Sequence, residues 1–169
     1  TDDEATRGVE AAGGALTLAR RAREYLFRAT GLQPYLLNLV CYFLFAAAAT
    51  SGRDLPPLSD VEEAIEDKLL SSESYFTDYM SLAGSATPVL RAVAAAERGA
   101  HARRYVSLSE IQRQLRRGGE TMDSATLRTT LDELCQRERP LLQRAPNAPD
   151  RFQTVIGMLG EHLIRRATL

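Results

Sequence analysis

The chain has 169 residues, 44% of them hydrophobic and 25% charged, with a net charge of -1. That length buries a sizeable core as one large or two small domains, and the composition excludes the disordered, collagenous and disulfide-rich classes. The net charge conceals an asymmetry. Residues 1–82 carry 13 Asp+Glu against 7 Lys+Arg, a balance of -6, and residues 83–169 carry 9 against 14, a balance of +5; the basic half suits a phosphate backbone, an acidic neighbouring subunit, or the acidic half of the same chain.

In chain order, Thr1 with Glu4 has the spacing of a capping box, so a first short helix is expected, ending by Gly13 and Gly14. A second helix is expected from Ala15 to Thr30, with Leu18, Ala22, Tyr25, Leu26 and Ala29 on one stripe and Gly31 as its left-handed cap. Pro34 suits the first position of the next helix, where a missing N–H costs nothing. The run Tyr35 to Ala49 is apolar on every side apart from Asn38, which predicts a fully buried helix. It is shorter than the ~20 residues a bilayer requires and has no basic flank, so no membrane is expected.

Ser59 with Glu62 has capping-box spacing again, and Val61, Ala64, Ile65 and Leu69 form the apolar face of that helix, its other face being acidic. Tyr75, Phe76, Tyr79 and Met80 form an aromatic stripe expected in a core, and a linker is expected at Gly84 and Ser85. The expected domains are therefore residues 1–82 and 83–169.

Beyond the linker, Thr87 and Pro88 open a helix closed by Gly99, a short strand is expected near Tyr105 and Val106, and Ser107 with Glu110 caps a further helix burying Leu108, Ile111 and Leu115. Gly118 and Gly119 break the chain before Asp123 caps a helix with Leu127, Leu131, Leu134 and Cys135 inside. Strands are expected from Pro140 to Ala145 and from Arg151 to Ile156, with residues 146–150 as the hairpin tip and a last helix from Gly157 to Ala167. Helix, short strand, helix, turn, helix, hairpin is the order of a winged helix. The expected fold class is mainly α, a helical bundle followed by a winged-helix domain.

Thr30, Gly31, Leu32, Gln33, Pro34, Tyr35, Leu36 and Leu37 resemble the "TGGxPYLLQ" stretch in the lid of bacterial and archaeal AAA+/STAND ATPases. In that family the stretch follows an acidic, alanine-rich helix, similar to Asp2 to Glu10, and precedes a winged helix ending in "YRFQ…LxxWLRR". Arg151, Phe152 and Gln153, then His162, Leu163, Ile164, Arg165 and Arg166, are similar to that ending, without its tryptophan. The resemblance implies the C-terminal lid and winged helix of a nucleotide-driven switch, with Gly31, Pro34 and Tyr35 near the adenine of ATP or ADP held by an upstream P-loop domain. It implies signal transduction in a cytoplasmic bacterial protein, and a start at Thr1 without methionine fits a missing upstream part.

The chemistry for hydrolysis is absent from this sequence. Lys68 is the only lysine and stands between Asp67 and Leu69, so there is no Walker A motif, and the chain is not expected to be an enzyme or to hold a cofactor by itself. His101 and His162 have no ligand-like Cys or carboxylate spacing, Glu62 and Glu63 read as solvated charge, and Cys41 and Cys135, without CxxC spacing, read as buried reduced thiols. The alternative function is DNA binding, or a freestanding transcription regulator with a helical dimerisation domain. In that reading the helix from Asp123 to Arg137 enters the major groove, and Arg113, Arg116, Arg117, Arg128, Arg137, Arg144 and Arg151 contact the nucleic acid or another partner. Asp132 and Glu133 on the same helix oppose it. A homo-oligomer and duplex DNA are thus both open as partners beside the upstream domain.

Overall fold

Helices form where the apolar periodicity and the caps agree. A computed structural model describes residues 18–52, 56–71, 73–98 and 104–167; the expected first helix, the opening residues 15–17 of the second, Gly99 and His101 lie outside the described residues. Among the described residues the protein is mainly helical with one small three-stranded antiparallel sheet. It divides into two compact units, Thr1–Glu73 and Ser74–Leu169. The division falls at the start of the aromatic-striped helix, which therefore goes with the second unit.

The first unit contains three described helices. α1 (Arg20–Thr30) buries Ala22, Leu26, Ala29 and Thr30 and ends where Gly31 takes φ 59°, a left-handed value that glycine adopts without a Cβ clash. α2 (Pro34–Ser51) starts on Pro34 and ends at Gly52, φ 66°, whose N–H donates to the Ala48 carbonyl. α3 (Leu58–Ser71) buries Val61 and Ile65 and leaves Glu62, Glu63, Glu66 and Asp67 on its exposed face.

Two expectations are corrected here. The Pro57 carbonyl accepts from the Asp60 and Val61 N–H groups at 3.2 and 3.4 Å, so α3 starts ahead of Ser59. Ser59 then lies within the first turn, its hydroxyl 3.4 Å from Asp60 Oδ1, and is no cap. The proline carbonyl supplies the first acceptor two residues before the hydroxyl comes into play. α2, expected to be buried on all sides, is buried only along Leu36, Leu37, Val40 and Leu44, while Tyr35, Tyr42 and Phe45 are 56%, 66% and 50% exposed. Uniform apolarity says what a helix tolerates, and the number of neighbours decides what is covered.

The second unit is organised around α5 (Thr87–Arg98). Val89, Leu90, Ala92, Val93, Ala94, Ala96 and Glu97 are all buried, and the alanines let neighbours approach closely. It packs against α6 (Leu108–Arg117), α7 (Ser124–Gln136), α8 (Gly157–Ala167) and the sheet. α4 (Glu73–Ala83) buries Phe76 and Tyr79 of the expected aromatic stripe and leaves Tyr75 and Met80 half-buried, and a 3-10 turn at Gly84–Ala86 leads into α5. β1 (Val106–Ser107), β2 (Leu142–Ala145) and β3 (Ala148–Thr154) form the sheet in the order β1-β3-β2, with Val106 opposite Phe152 and Leu142 opposite Thr154.

The hairpin is tighter than expected. Pro146 and Asn147 alone join the strands, and Ala148, Pro149 and Asp150 belong to β3. Arg144 pairs with Phe152 but Ala145 with Ala148, so the extra residues of β3 form an irregular bulge. Such a bulge admits Pro149, which has no N–H for a regular ladder.

Candidate functional site

Two surfaces gather the residues singled out by the sequence, one in each unit. In the first unit, Thr30 donates its hydroxyl to the Leu26 carbonyl at 2.9 Å, and Gln33 N–H donates to the Thr30 carbonyl at 3.2 Å. Gly31 and Leu32 follow one another in the left-handed region, at φ 59° and 58°. Two such residues in succession turn the chain sharply from α1 into α2. For a leucine this conformation costs about 1–2 kcal/mol, because Cβ crowds the following carbonyl. Leu36 and Leu37 are buried behind the turn, whereas Pro34 and Tyr35 stand on the surface at the first turn of α2. The turn therefore presents a flat apolar edge.

In the second unit, α6 owes its start to a reciprocal cap. Ser107 Oγ accepts from Glu110 N–H at 3.4 Å, and Ser107 N–H donates to Glu110 Oε2 at 2.8 Å. Arg104 also pairs with Glu110. Together the Arg104 guanidinium and the Ser107 donors hold the Glu110 carboxyl at about 2, well below its ordinary 4.5. α7 starts on Asp123, whose carboxylate accepts from Ala125 N–H and Thr126 N–H at 2.9 Å each. Those bonds, led by the Thr126 hydroxyl, lower its pKa. Gln112 donates to Ser124 Oγ at 2.8 Å and ties the middle of α6 to the first turn of α7.

The seven arginines expected at a contact surface separate into two groups. Arg113, Arg116 and Arg117 are exposed on α6 and, with Ser109 and Gln112, line an open groove of about 450 Å³. A second groove of about 450 Å³ continues past Gln112 between the start of α6 and Ala148 to Arg151 of the hairpin. Three of the others face partners within the chain. Arg128 reaches Asp150 at 2.9 Å, Arg144 pairs with Asp132 and lies 5.4 Å from the Phe152 ring centre, and Arg151 donates to the Tyr105 carbonyl at 3.4 Å. Arg137 is the half-buried residue that ends α7. The outer face of α7 is thus largely neutralised by internal ion pairs.

One polar contact was not singled out from the sequence. Glu97 is 6% exposed and accepts from both the N–H and the hydroxyl of buried Thr154, the latter at 2.8 Å. Leu90, Val93, Ala94 and Glu97 follow helical spacing, so a carboxylate on the apolar stripe of α5 was the available signal. His162 is buried and stacks on Phe76 with ring centres 5.0 Å apart. Cys41 and Cys135 are half-buried free thiols, both pushed up in pKa by burial, which keeps them protonated and weakly nucleophilic. Among the described residues no group of three His, Cys, Asp or Glu side chains is placed to hold a metal ion.

Comparison with protein-family models, with curated proteins and with solved structures returns no match to this chain.

Proposed function

We propose that this chain is the lid and winged-helix portion of a AAA+/STAND-type P-loop ATPase, and that it couples the state of a bound nucleotide to protein partners. The observation that carries this reading is the left-handed backbone at Leu32, immediately after left-handed Gly31. It is the conformation a glycine adopts freely, and the resembled TGGxPYLLQ stretch has glycine at that position. The turn leaves Pro34 and Tyr35 exposed as an apolar edge for an adenine held by another domain. The order α5, β1, α6, α7, β2, β3, α8 and the β1-β3-β2 sheet support a winged helix in the second unit. Nucleotide state would be transmitted by rigid-body movement of such a module.

The experiment is nucleotide affinity in the ATPase that carries this segment. Pro34→Ala with Tyr35→Ala is expected to weaken ADP binding roughly tenfold, about 1.4 kcal/mol, with helix content unchanged. Unchanged affinity for ADP removes the lid assignment.

DNA binding is favoured by one observation, the exposed cluster Arg113, Arg116 and Arg117. The pairing of Arg128 on α7 with Asp150 disfavours it, since a base-reading helix keeps its donors free for the groove. A salt titration with duplex DNA separates the two. Association that weakens steeply with salt and disappears in Arg116→Glu with Arg117→Glu selects the DNA reading.

A further inference from the structure

α2 carries a second apolar stripe on the side away from its buried one. Tyr35, Asn38, Tyr42, Phe45, Ala49 and Gly52 follow one another in alternating steps of three and four, and all six are exposed. That spacing is the 3.5-residue repeat of a helix seam that packs lengthwise against another helix. No charged residue occurs from Pro34 to Ser51, so an acidic or basic partner finds nothing to pair with. An uncharged helical face of similar length is the occupant that fits this spacing.

From these features we infer that the outer stripe of α2 is a self-association surface, on which a second copy of the chain lays its own α2 in antiparallel orientation. The size pattern along the stripe suits a two-fold axis near its middle. With the helices fully overlapped, Tyr42 of each copy faces Phe45 of the other, Asn38 faces Ala49, and Tyr35 faces Gly52. Large residues thus meet small ones at both ends, and four aromatic rings cluster at the centre, where offset or edge-to-face contacts are favourable. Asn38 stays near the rim, within reach of water.

Area sets the strength. Aromatic side chains bury roughly 150–250 Å² each, and half to two-thirds of Tyr35, Tyr42 and Phe45 is exposed. Those three residues offer roughly 350 Å² per copy, and the rest of the stripe extends this toward about 500 Å². Two copies then bury about 1,000 Å², the size of weak, reversible contacts and less than a permanent dimer requires. The dimer is therefore concentration-dependent, and its affinity is insensitive to salt because no charge takes part.

Sedimentation of the full chain from about 5 to 500 μM is expected to show the average mass rising toward twice that of the monomer, equally at low and high salt. Tyr42→Asp and Phe45→Asp, both at exposed positions, are expected to hold the chain monomeric with unchanged circular dichroism. Orientation is read by cross-linking in a background with Cys41→Ser and Cys135→Ser. Asn38→Cys and Ala49→Cys chains, mixed and mildly oxidised, are expected to join across copies, whereas either variant alone does not, its two thiols lying about 16 Å apart along the pair. A chain that stays monomeric throughout that range overturns the inference. So does association that survives both aspartate substitutions, or a stripe that instead carries the chain onto neutral phosphatidylcholine vesicles and loses that binding in Tyr42→Asp.

Discussion

Two carboxylates show how differently the same residue type acts in this protein. Glu97 is buried and accepts from both the N–H and the hydroxyl of Thr154, so truncating it removes two charge-assisted hydrogen bonds away from water. Glu97→Ala is expected to cost about 3 kcal/mol in urea unfolding, against less than about 0.5 kcal/mol for exposed Glu63→Ala. A loss below about 1 kcal/mol would remove Glu97 as the tie between α5 and β3. Glu110 acts instead through titration. Its folded pKa, about 2, lies below its ordinary 4.5. Such a group contributes stability in full above the unfolded value, and the contribution is lost as pH falls toward the folded one. Stability is expected to decline between about pH 5 and pH 2, and Glu110→Gln to flatten that decline while lowering stability at neutral pH. An unchanged acid limb in Glu110→Gln sinks this account.

Helix starts were legible to different degrees. Ser107 with Glu110 forms both halves of its capping box, and Asp123 caps α7, as their spacing and position before an apolar run predict. Ser59 has an equivalent spacing and does not cap, because the Pro57 carbonyl begins α3 first. Asp123→Ala is therefore expected to lower stability by about 1 kcal/mol, and Ser59→Ala by less than about 0.5 kcal/mol. Equal effects at the two positions would mean that Ser59 caps in solution. The same contrast governs the basic residues. That Arg113, Arg116 and Arg117 share one face of α6 follows from their i, i+3, i+4 spacing, but the partners of Arg128 and Arg144 come from the hairpin and from α7, far away in sequence.

For the whole molecule, the division after Glu73 gives each unit its own buried residues. Residues 74–169 expressed alone are expected to unfold in one cooperative transition, since α5 supplies a continuous core with α6, α7, α8 and the sheet. A non-cooperative melt of that fragment would show that its core is completed from elsewhere.

Sequence alone determined what depends on neighbours a few residues away: the positions of α5 to α8, the caps at Ser107 and Asp123, the left-handed Gly31, and the hairpin between two strands. Backbone hydrogen bonding and helical periodicity are local, so they can be read from spacing. Tertiary structure decided which apolar faces are covered, which charges are neutralised and where a carboxylate is buried. α2 reads as apolar all round, yet only the stripe Leu36, Leu37, Val40 and Leu44 is buried among its described residues, and the arginines of α7 and β2 read as free until the hairpin brings Asp150 beside Arg128 and Arg144 beside Asp132. Coverage and pairing depend on segments that are close only after the chain has folded, and no periodicity encodes them.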